Sequence, residues 1–176
     1  MPAPYAGGIG PQGEAALREF VQAGGTLITL GRASEWAMES FHLPVSNALA
    51  RVKPGEFSCP GSLLRAHLDL AAPVNFGMSE DAAIFVDEPL AFATRPAPPE
   101  QKLTVLAAYP SRADNVLLSG WMRGADLLTR RAAAVSLSQG AGRIILFGFR
   151  VQNRAQTEGT FKMLFNAILA AGAAKK

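Results

Sequence analysis

Few residues in this chain are placed to do covalent chemistry. Cys59 stands in Phe57-Ser-Cys-Pro-Gly-Ser62, where Pro60 and Gly61 mark a turn. A nucleophilic thiol needs small neighbours at a sharp strand-to-helix turn and a base to activate it. No clear helix start follows Cys59 and no histidine is placed beside it, so it reads as a packed thiol. Ser34 reads as a helix cap, and Ser119, in Ser119-Gly120-Trp121, as a strand end, with Trp121 either in the core or stacked on a ligand. His42 and His67 belong to no His-x-x-Glu or His-x-x-x-His pair. His67 and Asp69 could share one face of a strand, but a zinc site needs more ligands converging at short spacing. The strongest binding chemistry lies in the loop of Arg150, Gln152, Asn153, Arg154 and Gln156. Guanidinium and amide donors suit carboxylates or carbohydrate hydroxyls. Before Thr157 this loop holds no His, Cys, Ser, Asp or Glu, so it offers binding groups and no proton-transfer group.

The elements around that loop must position it. Residues 143–149 read as a buried strand and 157–170 as a helix, so the loop sits at a strand end, where α/β folds place ligands. Phe161, Leu164, Phe165 and Ile168 form the helix's apolar stripe and are expected in the core. Near the N-terminus, residues 13–23 predict a helix with Leu17, Phe20 and Val21 on one face. Gly24-Gly25 ends it, and residues 26–30 predict a short strand. Gly31 permits a tight turn, after which Ser34 caps a second helix with Glu35 in its first turn. If the strands at 26–30 and 143–149 are parallel neighbours, Glu35 comes close to Arg150 or Arg154 and forms a partly buried ion pair with one of them.

Between these ends the pattern is weaker. Residues 44–101 hold most of the prolines, with strand candidates only at 62–70 and 82–86. Residues 96–99 read as a proline-rich surface loop. Further on, strands are expected at 103–109, 115–119 and 132–138, a short helical excursion at 121–128, and a hairpin connection at Gln139-Gly-Ala-Gly142.

With 176 residues, 49% of them hydrophobic, the chain can form one domain with a sizeable core. Its 17 Lys and Arg exceed its 14 Asp and Glu by only three, which argues against a nucleic-acid partner. Arg123, Arg130 and Arg131 form the one local cluster and read as a solvated face. A lone cysteine excludes an internal disulfide. No apolar run reaches the length of a membrane span, and the N-terminus lacks the basic and apolar regions of a signal peptide. The loop Ala6-Gly-Gly-Ile-Gly-Pro-Gln-Gly13 opens a helix with no strand before it, which suggests a chain cut from a longer protein just after a strand.

Two resemblances give these elements a family. Ala15-Ala-Leu-Arg-Glu-Phe-Val-Gln-Ala-Gly-Gly-Thr-Leu-Ile-Thr-Leu-Gly31 resembles the helix, Gly-Gly turn and strand of class I glutamine amidotransferase-like domains. Leu30-Gly31-Arg32-Ala33-Ser34 then stands at that family's nucleophile elbow, without a cysteine. Gly148-Phe-Arg-Val-Gln-Asn-Arg154 stands where the family's base would be, without a histidine. Neither half of the catalytic pair carries over. A second resemblance covers nearly the whole chain. Tyr5-Ala-Gly-Gly-Ile-Gly10, Cys59-Pro-Gly-Ser-Leu-Leu-Arg65, Pro73-Val-Asn-Phe-Gly-Met78, Leu118-Ser-Gly-Trp121 and the segment from Gly148 to Phe161 resemble the non-catalytic C-terminal region of bacterial zinc carboxypeptidase-like proteins. That resemblance implies a periplasmic or secreted parent, an attached peptidase domain as partner, and zinc in that domain with no cofactor in this chain.

The expected fold is therefore an α/β three-layer amidotransferase-like (flavodoxin-like) sandwich lacking its first strands, with antiparallel strands toward the C-terminus. Its unpaired edge would invite a homo-oligomer. The expected function is a non-catalytic accessory or ligand-binding domain. The alternatives are a stand-alone hydrolase or amidotransferase-like enzyme using Cys59 or Ser34, and a purely structural oligomerisation module. The expected ligand site is Gly31, Arg32, Ser34, Glu35, Arg150, Gln152 and Arg154.

Overall fold

A computed structural model describes residues 7–88, 90–155 and 157–173. The elements run α1 (Gly10–Gln22), β1 (Thr26–Leu30), α2 (Ala33–Ser40), β2 (Val45–Asn47), β3 (Ser62–Leu68), β4 (Asp81–Val86), β5 (Phe92–Thr94), β6 (Leu103–Ala108), β7 (Leu117–Ser119), β8 (Ala132–Gln139), β9 (Gly142–Phe147) and α3 (Glu158–Ala173). Short 3₁₀ turns fall at Pro73–Asn75, Ala113–Asn115, Ala125–Leu128 and Asn153–Ala155. Most strands lie where periodicity placed them. The three-residue strands β2 and β5 were missed, because so short a run carries no readable period. Helix α1 begins at Gly10, three residues earlier than expected, with a proline in its first turn, where a missing N–H costs nothing.

The strands form one sheet with the order β1-β9-β8-β6-β3-β4; β5 joins β8, β2 joins β5 and β7 joins β3. Only β1 and β9 are parallel, in register from Thr26 opposite Arg143 to Leu30 opposite Phe147. Every other strand pair is antiparallel. Antiparallel pairing thus begins with the β2–β5 and β3–β4 pairs, well before the C-terminal region to which the sequence reading confined it. Antiparallel neighbours need no crossover element between them, whereas parallel neighbours do. Strands β8 and β9 are joined through Gly140 and Ala141, with Gly140 at φ 58° and Gln139 directly opposite Gly142. Strand β1 lies at the end of the order, with β9 as its only strand neighbour among the described residues.

Alternation along β9 sorts the core. Ile144 and Leu146 pack with Val21 of α1 and with Ala37 and Met38 of α2. Ile145 and Phe147 face the other way, into a cluster with Leu64, Ile84, Leu106 and, from α3, Met163 and Ala167. One face of the sheet therefore carries α1 and α2, and the other carries α3.

Helix α3 corrects the sequence reading. Its inward residues are Thr160, Met163 and Ala167, while Phe165 and Ile168 are 59% and 52% exposed. The helix is apolar nearly all round, so composition did not reveal which face turns inward. Polar anchors set its rotation. Asn166 donates to the carbonyls of Val74 (3.0 Å) and Phe76 (2.9 Å), and Lys162 donates to that of Gly77 (2.9 Å). Thr160 Oγ1 donates to the carbonyl of Val151 at 2.7 Å, which ties the helix to the loop after β9. No helix among the described residues is long and apolar enough to cross a membrane.

Two positions test this packing. A side chain at Gly142 would collide with the backbone carbonyls of Val21 and Gly25, and the latter accepts the Arg143 N–H at 3.1 Å. Neither carbonyl can retreat cheaply, so Gly142→Ala should cost about 3 kcal/mol and lower Tm by roughly 10 °C in a thermal melt. Tyr109 is 2% exposed, and its hydroxyl has no hydrogen-bond partner among the described residues. Burial drives its phenol far above the ordinary range, so it stays neutral. Tyr109→Phe removes an unpaired buried hydroxyl and should stabilise the fold by about 1 kcal/mol in denaturant unfolding.

Candidate functional site

The parallel β1–β9 pair ends at a sharp turn. Gly31 follows β1 at φ 54° and donates its N–H to the Phe147 carbonyl at 2.9 Å. A left-handed residue is required here, and glycine takes that conformation without penalty. Helix α2 starts two residues later. This strand–turn–helix arrangement is that of a nucleophile elbow, and the residue at its tip has no side chain. A Cβ built on Gly31 would lie 3.6 Å from the Arg150 Cγ, so the stem of Arg150 covers the tip.

Ser34 is fully buried and does not cap α2, contrary to the sequence expectation. Arg32 holds the cap position and makes no side-chain capping bond. The Ser34 hydroxyl donates to the Phe147 carbonyl at 2.9 Å and pairs with Thr29 Oγ1, also at 2.9 Å. The carbonyl of the parallel neighbour lies within reach, and a buried hydroxyl takes whichever partner removes its desolvation cost. Ser34 therefore fastens the elbow to β9.

The expected ion pair of Glu35 with Arg150 or Arg154 is replaced by two other contacts. Glu35 Oε1 accepts from Asn47 Nδ2 at 2.7 Å, which links α2 to the end of β2. Arg150 instead lies 2.9 Å from Glu88 Oε1 and 3.8 Å from Asp87 Oδ2. Those two carboxylates follow β4 directly, and the sequence reading missed them. An acidic pair at the end of a strand candidate was the available signal, but the assignment stopped at Val86. Gly148 makes this approach possible: a Cβ there would meet the Leu90 carbonyl at 2.5 Å and the Ala133 carbonyl at 3.0 Å.

Arg32, Glu35, Asp87, Glu88 and Leu90 line an open crevice of about 260 Å³. Glu35 also borders a larger open groove of about 870 Å³, lined by Met38, Leu43 and Val45 below and by Glu39, Arg51 and Arg95 at the rim. Arg32 and Glu35 line the crevice and Gly31 meets the stem of Arg150, while Ser34 is buried beneath the turn and lines no part of it. Gln152 and Arg154 stand on an exposed turn beyond the crevice, with Arg154 at φ 47°. Gln156 lies outside the described residues. Around the crevice, Arg32 and Arg150 face Glu35, Asp87 and Glu88. The Arg150 charge is already balanced by carboxylates, and Glu88 Oε2 is buried with no donor among the described residues. Such a surface favours ligands that bring both hydrogen-bond donors and acceptors over a simple anion.

The remaining candidates sit elsewhere. Cys59 is 3% exposed, its Sγ lies 3.5 Å from the Val86 carbonyl, and burial pushes its thiol upward. His67 pairs with Asp81 on β4, not with Asp69. Asp81 also accepts from Arg65, and these partners hold its carboxyl below the usual carboxylate range. Among the described residues, no three His, Cys, Asp or Glu converge as metal ligands would. Trp121 is 52% exposed with the Arg123 guanidinium 5.9 Å from its ring centre, while Arg130 and Arg131 face solvent.

No protein-family model matches the chain, and no curated protein does. Solved structures do. A cytoplasmic protein from Salmonella typhimurium shares 13% identity at a TM-score of 0.55, over 94% of this chain and 62% of its own. A protein from Bacteroides uniformis described as ThuA-like shares 12% identity at 0.53, over 90% of this chain and 62% of its own. This chain therefore spans less than two thirds of either neighbour's length. A likeness at such identity shows the fold alone: a mixed α/β domain built on a large, mostly antiparallel sheet.

Proposed function

We propose that this chain is a non-catalytic ligand-binding domain, an accessory to an attached peptidase of the zinc carboxypeptidase type, on a three-layer amidotransferase-like sandwich. One observation carries the non-catalytic reading: bare Gly31 stands at the tip of the elbow, under the stem of Arg150. Acyl transfer at an elbow needs a side-chain nucleophile at that tip and a base within hydrogen-bond reach. The hydroxyl of Ser34 is engaged with Thr29 and Phe147, and Cys59 is buried behind β4. The link to a peptidase rests on the resemblance of the segments around Cys59, Pro73 and Gly148.

The ligand suited to the crevice carries hydroxyl or ammonium donors for Glu35 and Glu88 and an acceptor for Arg32. Neutral saccharides and dipeptides have this character, and inorganic phosphate does not. Calorimetric titration of the domain against these three classes tests the reading. Binding of a saccharide or dipeptide should weaken at least about tenfold in both Glu35→Gln and Arg150→Ala, with phosphate giving no heat. Wild-type affinity in both variants would remove the crevice as the site.

Hydrolysis of an ester or amide panel that is lost in Ser34→Ala or Cys59→Ala would overturn the non-catalytic reading. The state of Cys59 gives an independent check. A buried thiol held as the neutral form should react with a disulfide reagent about 100-fold more slowly in the native protein than in denaturant.

A further inference from the structure

We infer that the outer face of α3 is the contact surface of a two-fold homodimer in which the α3 helices of two copies pack antiparallel. Four large apolar side chains lie there: Phe76 at 78% exposure, Phe165 at 59%, Ile168 at 52% and Leu169 at 71%. The Asn166 bond to the Phe76 carbonyl places Phe76 beside the helix, so the four belong to one patch. Phe165, Ile168 and Leu169 follow i, i+3, i+4 spacing and form a stripe. From Leu164 to Ala173 the helix carries no charged residue. A helix apolar on both faces is one that is covered on both.

Shape selects the occupant. Gly172 lies one further turn along the stripe, and among the described residues nothing stands within 4 Å of where its side chain would be. A second α3 running antiparallel sets each Phe165 ring over the partner's small Gly172 end, with Ile168 and Leu169 near the two-fold axis. A parallel pair would oppose Phe165 to Phe165. The antiparallel pair also opposes the helix dipoles favourably. The exposed parts of the four side chains amount to about 500 Å² per copy, hence roughly 1,000 Å² for the pair, which reaches the lower bound of a specific interface. An isologous contact needs only this one patch.

Sedimentation velocity of the whole chain between about 10 and 100 μM tests the inference at the scale of such interfaces. The expected species has twice the 18.6 kDa of one chain. Ile168→Glu and Leu169→Glu should each return it to monomer without altering the circular dichroism melt, because both side chains face solvent in the single copy. In a second arm, Ile168→Cys should cross-link to itself under mild oxidation. A monomer at 100 μM would overturn the inference. So would a dimer that persists in both charged variants, since the contact would then lie elsewhere, for example along the open edge of β1.

Discussion

The carbonyl of Phe147 is the point on which the candidate site depends. It ends β9 and accepts both the Gly31 N–H and the Ser34 hydroxyl, each at 2.9 Å. Two bonds to one oxygen fix where β1 stops, where α2 starts and how the turn between them faces the loop after β9. Burial strengthens this joint, since none of the three groups can exchange its partner for water. Phe147 and Phe149 pack edge to face, with ring centres 5.8 Å apart, and so anchor the backbone beneath the joint. The crevice geometry follows from the same arrangement. Gly148 lets the Leu90 carbonyl approach, and Arg150 reaches Asp87 and Glu88.

Electrostatics assigns the groups of the crevice different roles. Arg150 spans from the covered tip of the elbow to two carboxylates, with 40% of its side chain exposed, so its pairs contribute under about 1 kcal/mol to stability. Their value is positional: they draw the segment after β4 toward the loop after β9. Glu35 is held by the neutral amide of Asn47. The crevice therefore presents fixed donors and acceptors of both signs in a small volume.

Parts of this arrangement were legible in the sequence, and the reasons differ from element to element. β1, the Gly31 turn and β9 were readable because short β-branched and apolar runs bounded by glycine have few alternatives. Their parallel adjacency sets Gly31 under the stem of Arg150 and Ser34 against the Phe147 carbonyl. The partners of Arg150 were not readable, because Asp87 and Glu88 enter through long-range strand order that no local pattern encodes. Ser34 misled for a related reason: a serine before an apolar helix looks like a cap until a neighbouring carbonyl outcompetes the helix N–H groups. The inward face of α3 was hidden because apolar residues surround the whole helix. Its rotation is set by Asn166 and Lys162, polar residues whose anchors lie about ninety residues away.

The place of β1 in the sheet has a further consequence. A strand with one neighbour is held by a single ladder, and only Thr29 of its five residues is buried. Edge elements of this kind open locally at a fraction of the global unfolding energy. Half of the crevice, from Gly31 to Glu35, is built on that strand and the helix after it. In the other half, Arg150 follows β9, which is paired on both sides, and Asp87 and Glu88 lead into β5, which pairs with β2 and β8. The two walls of the site therefore belong to regions of unequal local stability, and separation of β1 from β9 would dismantle the crevice while leaving the antiparallel body of the sheet folded.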